Sequence, residues 1–362
     1  MLKARVVKAA AAALLVSVSL AACDPPMPPG LLALQSELEV QCEEGEVSAV
    51  FPESMTDLSM NWSDSLLFAC ETMPVAVLDN TVTEGDIVIA ESSLIAGRCT
   101  PFATVPVAID AAVLVFNIPD FYEIFLTAQQ IVDIFNGTIT NWSDPSLSAF
   151  NGDFPLPDIP IILPTEATPS AKAAFSEWIS RLAGSQLDLS AIADTTEFNE
   201  IFLASPSEPG SISISSYGAA MYQSTPFAAV VTDPSDPASY VRAEYTSLLA
   251  ATTQLTSSIE GTTMTVALDP NLEVQAEAGL DEAVAPYQAI YGMNMALCGE
   301  DTTLTRTMAR YFLRQDSQGL ILSSTLMPLP EAIRIEAIQI VIVGLPVPTP
   351  AATEETEGTD EG

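Results

Sequence analysis

The chain has no histidine. That removes the commonest general base near neutral pH and the commonest zinc ligand, and with them most hydrolase mechanisms. Lysine is nearly as scarce: Lys3 and Lys8 lie in the first ten residues, and Lys172 is the single one beyond them. Nucleic-acid binding depends on neutralising phosphates with Lys and Arg, so 11 basic residues against 47 acidic ones exclude it as a main role. None of the five cysteines shows C-x-x-C spacing, and no Ser-base pattern or metal-ligand cluster is visible. No catalytic residue, metal or cofactor is therefore assigned, and the chain is not expected to be an enzyme.

What is present begins with an export signal. Lys3, Arg5 and Lys8 form a basic leader, followed by an apolar run from Ala9 to Ala21. That run is too short for a membrane span, which needs about 20 residues. It ends in Leu20-Ala21-Ala22-Cys23, which resembles a bacterial lipobox. The expectation is a signal peptide over 1–22, a lipidated Cys23 as first mature residue, and a stiff proline-rich tether over 23–40. Asp24 after the cysteine resembles an inner-membrane retention signal, so the protein is placed in the periplasm or cell envelope, held by its lipid. Cys42, Cys70, Cys99 and Cys298 then form an even set in an oxidising compartment. They are candidates for two disulfides, with three pairings open. Residues 344–362 are acidic and of low complexity and read as a disordered tail.

Between tether and tail, apolar runs alternate with helical patterns, which argues for an α/β protein with largely parallel sheets. Val105–Phe116 is rich in β-branched residues and reads as a buried strand. Thr127–Gly137 reads as a helix with a Thr127/Gln130 capping box and an Asn136-Gly137 stop. Ile159–Pro164 reads as a strand. The next helix has Thr168 as N-cap, Pro169 in the first turn and Gly184 as its stop. Arg306–Leu313 and Gln318–Leu326 also read as helical. Arg306, Arg310 and Arg314 recur every four residues, a pattern expected of a solvated stripe or, less simply, of a docking face. Met293 and Met295 are expected in the core, and Arg98 in a loop.

Five phrases, in order, carry a resemblance. They are "AVFP" (49–52), "GDIVIAESSL" (85–94), "IFNGTITNWSDPSL" (134–147), "PGSISISSYGAAM" (209–221) and "GLILSSTLMPLPEAI" (319–333). Together they resemble the phosphate-binding proteins of bacterial phosphate ABC transporters, from about residue 48 to about residue 343. The resemblance implies a periplasmic binding protein type II-like fold: two α/β lobes joined by two crossover strands, with the ligand between them. It places one lobe in 41–105 and 290–343 and the other in 106–289. It also implies a small phosphate-like oxyanion as ligand, an ABC permease as partner, a membrane reached only through the lipid, and a monomer. Trp142, in the third phrase, is expected to pack rather than touch ligand.

The family's binding residues map unevenly. Its first-turn threonine corresponds to Val50, which lacks the hydroxyl, while the Phe51 amide remains available as a donor. Its aspartate, which accepts the proton of hydrogen phosphate, corresponds to Glu91, with Ser92 beside it. Its arginine corresponds to Thr165; Glu166 adjoins it, and Lys172 is the nearest replacement cation. Thr168 and Ser170 fall near its serine and threonine, and both are also accounted for as helix caps. Its Gly-Ser-Gly turn has no counterpart; Ser63 and Ser65 are candidates by position alone. The alternative is a lipoprotein of this fold that no longer takes phosphate and serves as a sensory, structural or interaction module, or holds a neutral solute.

Overall fold

The computed structural model describes residues 40–342, apart from 81, 83, 153–154, 196–205, 237 and 276–283. The leader, Cys23, all but the last residue of the tether, and the acidic tail lie outside the described residues.

The first lobe opens with β1 (Val47–Val50), α1 (Thr56–Ala69), β2 (Val75–Leu78), β3 (Ile87–Glu91) and the short α2 (Ser92–Ile95). The long β4 (Ala103–Phe116) carries the chain across. The second lobe begins with β5 (Phe125–Thr127), α3 (Ala128–Phe135), β6 (Glu166–Ala167), α4 (Pro169–Ala183) and β7 (Ala193–Asp194). It continues with β8 (Ile212–Ser216), α5 (Tyr217–Tyr222), β9 (Ala229–Val231), β10 (Tyr240–Val241) and α6 (Tyr245–Thr252). A hairpin, β11 (Leu255–Glu260) and β12 (Thr263–Leu268), precedes the return strand β13 (Ile290–Leu297). Helices α7 (Thr303–Phe312), α8 (Gln315–Ile321) and α9 (Glu331–Val341) complete the first lobe.

The main sheet runs β11-β12-β4-β13-β3-β1-β2, with β8 pairing β4 off that path. It is mixed rather than largely parallel. The β2-β1-β3 group is parallel, whereas β13 runs antiparallel to both β3 and β4. The antiparallel pair is the crossover itself, since β4 leaves the first lobe and β13 comes back. β4 changes partner along its length: Ala103–Ala111 pair with β13, and Ala112–Phe116 pair with β8. One continuous buried strand thus belongs to both lobes.

Pro106 sits inside this strand without an amide to donate, and the ladder accommodates it with a bulge between Met293 and Asn294. The Val107 carbonyl at the bulge accepts from the buried Gln318 side chain at 2.9 Å, and Gln318 Oε1 accepts from Leu329 N at 3.0 Å. Asn294, freed from regular register, donates to Ser92 Oγ at 2.8 Å. Met293 and Met295 are buried, as expected.

The Thr127/Gln130 capping box forms at α3, and Gly184 ends α4 with φ of 66°. Two readings are corrected. Ile159–Pro164 makes only isolated bridges, Asn141↔Pro160 and Ile162↔Ser211, because Pro160 and Pro164 lack the amides a strand needs. The arginine stripe is not solvated. Arg306 and Arg310 are both 5% exposed. Arg306 pairs with Asp301 and donates to the carbonyls of Ile340 and Val341 at the end of α9, while Arg310 donates to Gln41 Oε1. Four-residue spacing fixes one helix face but not what that face meets. The disulfides are Cys42–Cys70 and Cys99–Cys298. Among the described residues no helix is long and apolar enough to cross a membrane.

Candidate interlobe site

β1 lies between β2 and β3 with all three parallel, so the chain leaves β1 and β3 on the same edge of the sheet. Carboxyl ends of parallel strands at such a reversal of order are where open α/β sheets take ligands. Phe51 follows β1 there, and Glu91 ends β3.

Glu91 is 1% exposed, and its carboxylate bridges the lobes. Oε1 accepts from Ser93 Oγ at 2.8 Å, and Oε2 accepts from the backbone amide of Ser170 at 3.1 Å. Ser170 is the second residue of α4. Pro169 before it has no N–H, so Ser170 supplies the first free amide of the helix. A helix start carries partial positive charge, and a carboxylate oxygen there is stabilised by both the dipole and the hydrogen bond. Thr168 holds the N-cap position and its carbonyl accepts from Lys172 N at 2.9 Å. Its side chain makes no cap bond, however, which corrects the capping expectation. The buried Thr168 Oγ1 has no hydrogen-bond partner, although it lies near enough to Glu91 to lower its pKa slightly. The cap of α4 therefore comes from the other lobe. Burial pushes the Glu91 carboxyl above its ordinary range; the bonds from Ser93 and Ser170 and the nearby Thr168 hydroxyl offset that in part.

A second buried carboxylate lies close by, and the sequence reading missed it. Asp110, 3% exposed on β4, accepts from the amides of Ala111 at 2.7 Å and Gly218 at 3.1 Å through Oδ1. Its Oδ2 has no partner. Burial, and to a smaller degree the Glu91 charge, raises its pKa to about 6 against hydrogen bonding from Ala111, Gly218 and Ser216. A Cβ at Gly218, in the first turn of α5, would stand 3.5 Å from Asp110 Oδ2, an ordinary contact, but only 3.0 Å from Leu326 Cδ2. The signal was available as a lone acid inside the apolar "VPVAIDAAVLVF". No Lys or Arg is among the groups that set the pKa of Glu91 or Asp110.

Of the candidate residues, the structure brings Glu91, Thr168 and Ser170 together. Ser92, exposed beside Glu91, accepts from Asn294. The Val50 side chain points into the core against Val88, Ala90 and Leu94. The Phe51 ring packs 6.1 Å from Trp62 and 6.0 Å from Phe312, and its segment lines a 460 Å³ cavity with Thr56, Ser59 and Asp79. Thr165 lies apart, in a 190 Å³ cavity shared with Glu166 and Glu208. Lys172 donates to the Ile192 carbonyl at 2.9 Å and pairs with Asp194, so its charge is spent at β7. Ser63 and Ser65 lie on α1. Trp142 is fully buried and donates to the Gly210 carbonyl at 2.9 Å, which ties two of the five phrases together by packing. Among the described residues no group of three or more His, Cys, Asp or Glu is placed to hold a metal.

Two α/β lobes, a pair of crossover strands and helix starts turned toward the seam define a bilobed binding protein. A family model described as the PBP superfamily domain matches residues 71–313, and the chain belongs to that superfamily. Among solved structures, it resembles a high-affinity periplasmic phosphate-binding protein (PfluDING) bound with phosphate. The identity is 13% and the TM-score 0.52, over 81% of this chain and 92% of that one. At that identity the likeness is one of fold. A phosphate-binding protein from Stenotrophomonas maltophilia is 17% identical over 82% of this chain and 93% of its own, with a TM-score of 0.48. A putative phosphate ABC transporter substrate-binding protein from Clostridium perfringens is 14% identical over 79% of this chain and 100% of its own, with a TM-score of 0.47. No curated protein sequence matches.

Proposed function

We propose that the chain is an extracytoplasmic solute-binding protein, anchored by lipid on Cys23. It takes phosphate or another small oxyanion at the start of α4 and delivers it, as a monomer, to an ABC-type permease. The observation that carries this reading is the Ser170 amide, which already holds a carboxylate oxygen across the lobe boundary at 3.1 Å. The start of α4 is thus shaped for an oxyanion. In this reading the Ser170 amide and the Thr168 hydroxyl donate, with the Phe51 amide as a third donor from the first lobe. Glu91 stands at the family's acceptor position, with its Oε2 on the Ser170 amide. No cation stands where the family has arginine, which costs about 1.5–3 kcal/mol of charge-assisted bonding. Binding is expected to be correspondingly weak. The role is binding rather than catalysis, on the inner-membrane face of the periplasm.

Two buried acids with no cation beside them favour a second reading, in which free phosphate is no longer taken and the lobes hold a neutral solute or serve as an interaction module. Calorimetry of the full chain with phosphate, arsenate, sulfate and neutral solutes separates the two. Saturable heat with phosphate and arsenate at millimolar concentration, weakened by Thr168→Val, is the expected result. Heat with a neutral solute alone, or with none of them, overturns the oxyanion reading.

A further inference from the structure

Resting on that oxyanion reading, we propose that Glu91 is the site's built-in occupant. Its carboxylate fills the place of a free oxyanion on the Ser170 amide, holds the lobes closed without ligand, and must withdraw before an anion enters.

Three observations carry this. The first is the bond itself: an oxygen of the first lobe sits on the amide at the start of α4 in the second. The second is how firmly that oxygen is presented. Glu91 closes β3, is paired in the ladder with Met293, and has its other oxygen held by Ser93. The third is what the carboxylate leaves over. Thr168 Oγ1, 3% exposed at the same helix start, has no partner. The two carboxylate oxygens are bonded to Ser93 and Ser170 and neither is bonded to Thr168; a tetrahedral oxyanion directs further oxygens out of the carboxylate plane, where the Thr168 hydroxyl can meet one. The local arrangement thus meets part, but not all, of the demand that a free oxyanion would meet.

Reach decides the contact. Glutamate extends one methylene further than aspartate, and that added length lets a carboxylate rooted in one lobe touch the helix of the other. A tethered carboxylate also competes at an effective concentration far above that of a dilute solute. The apparent affinity for a free anion is then reduced by the fraction of molecules in which Glu91 has withdrawn.

Two variants of the full chain test this with inorganic phosphate as probe. Glu91→Asp keeps the charge and shortens the reach, whereas Glu91→Ala removes both. Calorimetry reads affinity, small-angle scattering reads lobe closure, and hydrogen exchange reads protection of the Ser170 amide. The wild-type chain should be closed and protected without phosphate and bind it weakly. Both variants should bind it tighter by about tenfold or more, which is ~1.4 kcal/mol or more. They should also be more open and less protected until phosphate is added. Wild-type affinity equal to that of both variants overturns the proposal, as does equal exchange at Ser170 without ligand. A gain confined to Glu91→Ala overturns it too, because charge rather than occupancy would then be excluding the anion. Variants that open yet take neither phosphate, arsenate nor sulfate leave the latch standing and remove the oxyanion reading instead.

Discussion

Asp110 is the residue whose environment makes the sharpest demand. Its carboxyl has an ordinary pKa of 3.8 and is raised to about 6 by burial. Between those values the folded chain binds more protons than the unfolded one. This group's contribution to stability is therefore largest below about pH 4, declines as pH rises through about 6, and stays lower above that. Asp110→Asn removes the charge and keeps an oxygen for the Ala111 and Gly218 amides. Urea unfolding should find this variant more stable than wild type by up to ~3 kcal/mol at about pH 8, with the difference vanishing near pH 4. A difference independent of pH would contradict the assignment. At this scale the sequence was only partly readable. A lone acid in a long apolar run is visible in one dimension, but its partner, the amide of Gly218, lies more than a hundred residues away. Glu91 stands where the resemblance puts the family's carboxylate, while its bond to Ser170 depends on how two lobes meet, which no local pattern encodes.

At the scale of elements, strong local signals translated directly. The capping box at α3, the Pro169 start and Gly184 stop of α4, and the apolar length of β4 each depend on neighbours a few residues away. Patterns that depend on distant partners misled. The prolines of Ile159–Pro164 break a ladder that its β-branched residues would favour, and the α7 arginines turn inward onto partners distant in sequence, Arg306 onto the carbonyls at the end of α9 and Arg310 onto Gln41. Arg306→Ala strips those carbonyls and Asp301 of their donor, and should lower stability by about 2–4 kcal/mol, read as a fall in Tm. Arg306→Lys should recover only part of it, since one ammonium cannot reproduce the planar fork. Gly210 is a second test. Its φ is +92°, and a Cβ there would run into the Pro160 carbonyl, while its own carbonyl receives the Trp142 indole. Gly210→Ala should therefore cost about 2–4 kcal/mol in a denaturant titration, and a neutral result would mean the loop can move aside.

For the molecule as a whole, five short phrases spread over the chain were enough to read the bilobed fold, because each marks a turn that the fold needs. The pairing of the cysteines was not readable, since three patterns satisfied the count. The two bridges differ in span: Cys99–Cys298 closes a sequence separation of 199, and Cys42–Cys70 one of 28. On chain-entropy grounds the long bridge is worth about 5 kcal/mol and the short one about 3.5. Replacing both partners by serine should therefore lower the denaturation midpoint more for the long bridge than for the short one, and the reverse order would count against the entropic account.

The short bridge has a mechanical consequence as well. It joins Cys42, just after the described chain begins, to Cys70, the C-cap of α1, while β1 starts only at Val47. Under the proposed lipid anchor, a pull from the chain before residue 40 has a second path through sulfur into the end of a helix. The central strand β1, zipped on both sides by β2 and β3, then shares that load instead of bearing it alone.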